Sequence, residues 1–120
     1  MADRDPTYQA DCLFCRIAAG EVPADRVFED EAVIVFRDIN PKAPTHVLAI
    51  PRRHIPSAAD LTDADGDLLA ALFAALRHVA EEAELKGYRI VTNVGAESGQ
   101  SVFHLHFHLL GGRSMTWPPG

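Results

Sequence analysis

Nine consecutive residues, Val102 to Leu110, carry histidine at 104, 106 and 108 with apolar side chains at every other position. Side chains alternate across a β-strand, so on a strand His104, His106 and His108 share one face, and Phe103, Leu105, Phe107 and Leu109 share the other. The apolar face has to be core, which leaves the imidazoles aimed at a cleft or at solvent. These are three of the chain's six histidines. Thr or Val would serve a sheet better, so packing alone does not account for them.

The rest of the chain supplies partners for such a strand. Leu13 to Ala19 has helical character and stops at Gly20. Val27–Glu31 and Ala32–Phe36 read as two short strands joined by an acidic turn, the second rich in β-branched residues. Asp38 to Pro44 is a loop, because two prolines in four residues remove ladder donors. Thr45 to Ile50 is the next strand, stopped by Pro51. Residues 60–86 form the only long helix, with Thr62 and Asp65 as a capping box, apolar residues at helical spacing, and Gly87 at the C-cap. Tyr88 to Val94 is a strand and Gly95 to Gly99 a turn; residues 1–10 and 113–120 read as tails. This order predicts an α+β domain over residues 11–120 with a mostly antiparallel sheet.

Composition narrows the function classes. With 17 Asp and Glu against 11 Lys and Arg, the net charge is −6, which argues against long nucleic acid and anionic membranes as partners. The longest apolar run, Leu68 to Leu76, is nine residues, about half of the ~18 that a membrane span needs. Met1 to Pro6 has no apolar core of a secretory signal. Two cysteines only three residues apart, Cys12 and Cys15, suit a metal or redox pair better than a disulfide framework. A cytoplasmic protein is expected.

Three readings of the histidine face stay open on the residues alone. It could be a solvated polar face, a metal site built on a His-x-His pair, or a site of acid–base or nucleophilic chemistry near neutral pH. The preceding turn bears on the choice. Gly95-Ala96-Glu97-Ser98-Gly99-Gln100-Ser101 offers glycines, the N–H of Gly99 and the hydroxyl of Ser101, a set able to hold phosphate oxygens. An oxyanion cradle beside a nitrogen nucleophile suggests attack on phosphorus.

The run Gly99-Gln100-Ser101-Val102-Phe103-His104-Leu105-His106-Phe107-His108-Leu109-Leu110 resembles the signature of the histidine-triad (HIT) superfamily. Phe36-Arg37-Asp38-Ile39, Ala43-Pro44-Thr45-His46, Ile50-Pro51-Arg52-Arg53-His54-Ile55, Asn93-Val94-Gly95 and Trp117-Pro118-Pro119-Gly120 are similar to segments of its Hint branch of nucleoside phosphoramidate hydrolases. The resemblance runs from about Cys12 to the last residue. It implies a HIT-like α+β fold, a five-stranded sheet with one long and one short helix, and a two-fold homodimer with a ten-stranded sheet. It also implies hydrolysis of purine nucleoside 5′-phosphoramidates through a nucleotidyl-His106 intermediate. By the same resemblance the catalytic set is His46, Ser101, His104, His106 and His108; Asn93, Gly99, Ser101 and His108 contact the phosphate, and Gln100 belongs to the substrate-binding set. Ser101 and His46 lie near the departing amine. Asp38 accepts the ribose hydroxyls, and Leu13, Phe14, Ile17, Phe36 and Ile39 wall the base of a ligand such as AMP or GMP.

Family members that keep both cysteines commonly hold a structural zinc, which implies a ligand set of Cys12, Cys15, His54 and His104 with no metal required for catalysis. Trp117, the sole tryptophan, is implied to reach the partner's active site. Three rivals remain: a dinucleoside polyphosphate hydrolase, a nucleotide-binding regulatory module with vestigial hydrolysis, and an enzyme using the triad as metal ligands.

Overall fold

A computed structural model describes residues 4–120. Helix α1 (Leu13–Ala18) is followed by strands β1 (Arg26–Glu29), β2 (Val33–Arg37) and β3 (Thr45–Pro51). Helix α2 (Gly66–Glu82) then leads to β4 (Tyr88–Val91) and β5 (Phe107–Gly111). The five strands form one sheet in the order β1-β2-β3-β5-β4, every neighbouring pair antiparallel. The α+β expectation holds.

Strand alternation divides the sheet into two buried faces. Val33, Val35, Val47, Ala49, Phe107 and Leu109 face α2 and meet Leu72, Ala75, Leu76 and Val79 from it. Ile34, Phe36, Leu48 and Ile50 face the other way and pack on Cys12, Phe14, Cys15 and Ile17 from α1. A helix of 17 residues covers the first face, whereas α1 has only six for the second. That second face therefore keeps an uncovered strip, which is where the site lies.

Several boundaries differ from the sequence reading; Pro51, expected to stop the third strand, is the last residue of β3 and pairs with Val33. The long helix is preceded by two short 3₁₀ turns, Ala58–Asp60 and Asp63–Asp65, and the Thr62–Asp65 capping box heads the second. The helix ends before Gly87. Glu84 takes the left-handed conformation (φ 53°), and the Leu85 N–H donates to Ala80 O at 3.0 Å, so a glutamate closes the helix where glycine is usual. Strand β4 stops at Val91, short of the expected Val94.

The largest difference concerns the histidine run, where β5 begins only at Phe107. Residues 102–106 are irregular because their polar groups are engaged off the ladder. The Leu105 N–H donates to Ile55 O at 2.6 Å, and His106 O accepts from Thr92 Oγ1 at 2.8 Å. Phe103, expected in the core, is consequently 52% exposed, while Leu105, Phe107 and Leu109 are buried as expected.

Of the residues read as an N-terminal tail, 1–3 lie outside the described residues. Residues 4–10 lie along the body. Arg4 pairs with Glu21 at 2.6 Å, and Thr7 Oγ1 accepts from the His54 N–H at 2.6 Å. No helix among the described residues is long and apolar enough to cross a membrane.

Candidate active site

His106 sits where the irregular segment meets β5, buried beside α1, with the Phe14 ring edge-on at 5.1 Å and 90°. Its Nδ1 is 2.7 Å from the carbonyl oxygen of His104. A carbonyl only accepts, so Nδ1 carries the proton and Nε2 keeps its lone pair. Burial holds the imidazole below its usual range, against the opposing pull of that carbonyl and of Asp38. His106 is thus a neutral imidazole with one fixed tautomer.

His108 and His46 form a second, connected pair. On the antiparallel ladder His46 is opposite Leu110 and His108 opposite Leu48, which makes the two histidines diagonal neighbours on one face. His46 Nε2 lies 2.9 Å from His108 Nδ1 and 3.5 Å from Asp38 Oδ2. The main-chain N–H of Lys42 donates to His46 Nδ1 at 3.0 Å. Burial lowers the pKa of both rings; that of His108 falls to about 4, with His106 and His46 adding to the shift. Asp38 spends Oδ1 on the Asn40 N–H at 2.8 Å and keeps Oδ2 toward His46.

A cleft of about 420 Å³ opens against these groups. Its lining brings together Leu13, Phe14, Ile17, Phe36, Asp38, Ile39, Ser101, His106 and His108 from the sequence-predicted set. Ile39 is fully exposed, so it stands at the rim rather than within a wall. Asn93, Gly99, Gln100 and Trp117 are not in the lining. Gln100 is buried and braced: Oε1 accepts from the Gly95 N–H at 2.8 Å, and Nε2 donates to Pro56 O at 2.7 Å and Val102 O at 3.1 Å. Gly95 and Gly99, at φ 84° and 101°, need the left-handed region to close this turn. Trp117 is 82% exposed and does not reach the cleft of its own chain.

His104 points elsewhere. It is wholly buried, with Nδ1 3.3 Å from Cys12 Sγ and 3.6 Å from Cys15 Sγ, while His54 Nδ1 is 3.3 Å from Cys15 Sγ. The donor atoms of these four residues lie within 4.8 Å of one another and could hold a metal ion. The donor chemistry fits. Pro51 O, 2.8 Å from His104 Nε2, fixes the proton there and leaves Nδ1 bare toward the sulfurs. Burial pushes the Cys15 thiol up to about 11 and His104 down to about 4. Asp38, His46 and His108 also approach within 4.8 Å of each other. There the Lys42 amide occupies the bare nitrogen of His46 and leaves a proton on Nε2, the atom a metal would need.

A family model described as "Scavenger mRNA decapping enzyme C-term binding", part of the histidine-triad superfamily, matches residues 11–117. The chain belongs to the histidine-triad family. A HIT family hydrolase from Legionella pneumophila Philadelphia 1 has 53% sequence identity and a TM-score of 0.90, the match covering 92% of this chain and 100% of that one. A histidine triad protein from Clostridium difficile has 38% identity and a TM-score of 0.86, over 90% and 96% of the two chains. Among sequence relatives, an uncharacterized HIT-like protein of Synechococcus elongatus is 45% identical over 111 residues, 92% of this chain and 97% of its own. The protein is thus a HIT hydrolase-like domain.

The histidine-triad pattern pointed to the site, yet several of its working parts are invisible in sequence. The Lys42 N–H, His104 O and Pro51 O act as main-chain groups, which any residue type supplies, proline excepted for the N–H. Val22, Pro23 and Ala24 also line the cleft. Their only sequence signal is their place just after α1.

Proposed function

We propose that this HIT protein hydrolyses purine nucleoside 5′-phosphoramidates to the nucleoside monophosphate and an amine. The observation that carries the reading is the 2.7 Å contact from His106 Nδ1 to His104 O, which leaves Nε2 as a neutral lone-pair nucleophile at the cleft. His106 Nε2 attacks the α-phosphorus; a P–N bond to the imidazole forms as the P–N bond to the amine breaks. The amine departs with the proton of the Ser101 hydroxyl. The nucleotidyl-imidazole is cationic, and its remaining Nδ1–H is stabilised by the His104 carbonyl. Water then attacks phosphorus, returns a proton to Ser101, and expels neutral His106. One hard displacement becomes two easier ones.

The other assignments follow the geometry and the family resemblance together. Phe14, Ile17 and Phe36 offer an apolar slot for a purine base, with Leu13 and Ile39 at its mouth, and Asp38 Oδ2 is the acceptor for ribose hydroxyls. Ser101 flanks the phosphate at the cleft, with His108 as a donor to its oxygens, and the family resemblance alone adds Asn93 and Gly99 from outside the lining. Gln100 acts by holding that turn in shape. Cys12, Cys15, His54 and His104 would hold a zinc ion. Zinc would cross-link α1 to the segment that carries His106, a structural contribution. We assign the protein to the cytoplasm as a homodimer with a ten-stranded sheet, in which Trp117 of each tail covers the partner's cleft.

The test is intact-protein mass after acid quench, with wild type and His106→Ala each mixed with adenosine 5′-phosphoramidate and AMP release followed in parallel. A transient adenylyl adduct and AMP release in wild type alone is the expected outcome. AMP release by His106→Ala would sink the nucleophile assignment. Turnover of a dinucleoside polyphosphate but not the phosphoramidate would move the reading to P–O cleavage by the same attack. AMP binding with neither adduct nor release would favour a regulatory module.

A further inference from the structure

We propose that the main-chain N–H of Lys42 sets the tautomers of His46 and His108, and thereby keeps His108 a hydrogen-bond donor to the cleft. The argument is proton counting along one chain of contacts. An amide N–H can only donate, so His46 Nδ1, 3.0 Å away, must present its lone pair. A neutral His46 then carries its proton on Nε2, which lies 2.9 Å from His108 Nδ1. That nitrogen must in turn accept, which leaves the His108 proton on Nε2. Burial of both rings keeps each neutral, so there is one proton per ring to place.

The competing partner is Asp38, whose Oδ2 lies 3.5 Å from His46 Nε2. It also favours a proton on Nε2, so it reinforces the same tautomer. Asp38 alone would equally favour a doubly protonated His46. The Lys42 amide opposes that state, because a second N–H on Nδ1 would face its own. Residue 42 is held from its far side as well: the Arg113 Nε–H, from the segment after β5, donates to Lys42 O at 3.0 Å. The loop Asp38–Pro44 is closed at its base by the Asp38 N–H on His46 O, also at 3.0 Å.

The consequence rests on the reading of the cleft as a phosphoryl-transfer site. His106 and His108, with ring centroids 5.1 Å apart, are held in opposite tautomers. His106 offers a lone pair to phosphorus, and His108 offers an N–H to the phosphoryl oxygens. Without the Lys42 N–H, His46 could shift its proton to Nδ1 and accept from His108 Nδ1–H. His108 would then turn a lone pair toward an anionic phosphate. Lys42 is a positioning residue in this account, and its side chain plays no part.

The direct test is two-bond ¹H–¹⁵N correlation on ¹⁵N-histidine-labelled full-length protein near pH 7.5. His46 and His108 should both show a protonated Nε2 and a bare Nδ1. Replacing Lys42 by its α-hydroxy analogue, which turns the amide into an ester and removes only the N–H, should shift His108 toward the Nδ1–H tautomer. With adenosine 5′-phosphoramidate, kcat should fall roughly a hundredfold, the cost of one lost oxyanion donor, with KM changed far less. Lys42→Ala keeps the N–H and should keep the native tautomer pattern. His46→Gln, whose amide can still donate to His108 Nδ1, should retain more turnover than His46→Ala. A native His108 protonated on Nδ1, or an ester protein with unchanged tautomers, would overturn the proposal. If the ester protein does not fold, the native spectrum together with the two His46 variants still decides. Because the spectrum needs no substrate, inactivity toward phosphoramidates would count against the function and leave the tautomer result standing.

Discussion

Replacing Gln100 by alanine separates a residue that touches substrate from one that holds the turn beside it. The side chain is 4% exposed and makes three hydrogen bonds, at 2.7, 2.8 and 3.1 Å, to Pro56 O, Gly95 N and Val102 O. Each neutral bond contributes about 0.5–1.5 kcal/mol net, and truncation leaves the Gly95 N–H and two carbonyls to find water. Pro56 is exposed and its carbonyl can be rehydrated, which trims the total. The expected loss is about 2–3 kcal/mol, or roughly 5–15 °C in Tm for a domain of this size. The loosened turn carries Gly99 and Ser101, so kcat/KM for adenosine 5′-phosphoramidate should fall as well. Urea unfolding followed by circular dichroism, with steady-state kinetics on the same preparations, reads both. A stability change below about 0.5 kcal/mol accompanied by a large rise in KM would refute the reasoning and return Gln100 to direct substrate contact.

Three further outcomes are expected. Asp38→Asn should weaken ribose recognition, measured as a smaller ratio of ribo- to deoxyribo-phosphoramidate kcat/KM; an unchanged ratio would leave Asp38 only its turn role through Asn40. Removal of metal by a strong chelator should lower Tm while initial turnover, assayed well below the new Tm, persists; immediate loss of turnover would make the metal catalytic. Stability should fall as pH drops from about 6.5 toward 4. His108 is held near 4 in the folded chain and titrates near its ordinary value when unfolded, so the unfolded state binds more protons across that window. The urea midpoint of wild type minus that of His108→Gln should therefore decline over pH 6.5 to 5, and a constant difference would contradict the assignment.

β-Branched apolar runs and helical spacing make much of the fold legible. Ala32–Phe36 and Thr45–Ile50 are continuous apolar or β-branched runs because both faces of β2 and β3 are buried, whereas the apolar stripe ending near Ala80 follows helical spacing because α2 buries one face. Sequence places the helix end too late, at Gly87, because Glu84 adopts a left-handed conformation that nothing in its residue type announces. Alternation over Val102–Leu110 predicts one continuous strand, but it describes which side chains share a face only while the backbone stays in a ladder, and here the ladder starts at Phe107.

Residue identities and their spacing set the chemical inventory: three alternating imidazoles, a Gly-Gln-Ser lead-in, a carboxylate, a hydroxyl and a paired thiol motif. They also call for an apolar partner face to anchor that set. What each imidazole does was decided by tertiary structure. His104 turns its ring to Cys12 and Cys15 and lends only its carbonyl to His106. Lys42, four residues from His46, donates the amide that orders two rings. A tautomer depends on which nitrogen meets a donor and which an acceptor. Main-chain groups supply those partners at three of the sites here, and their placement exists only once the chain has folded.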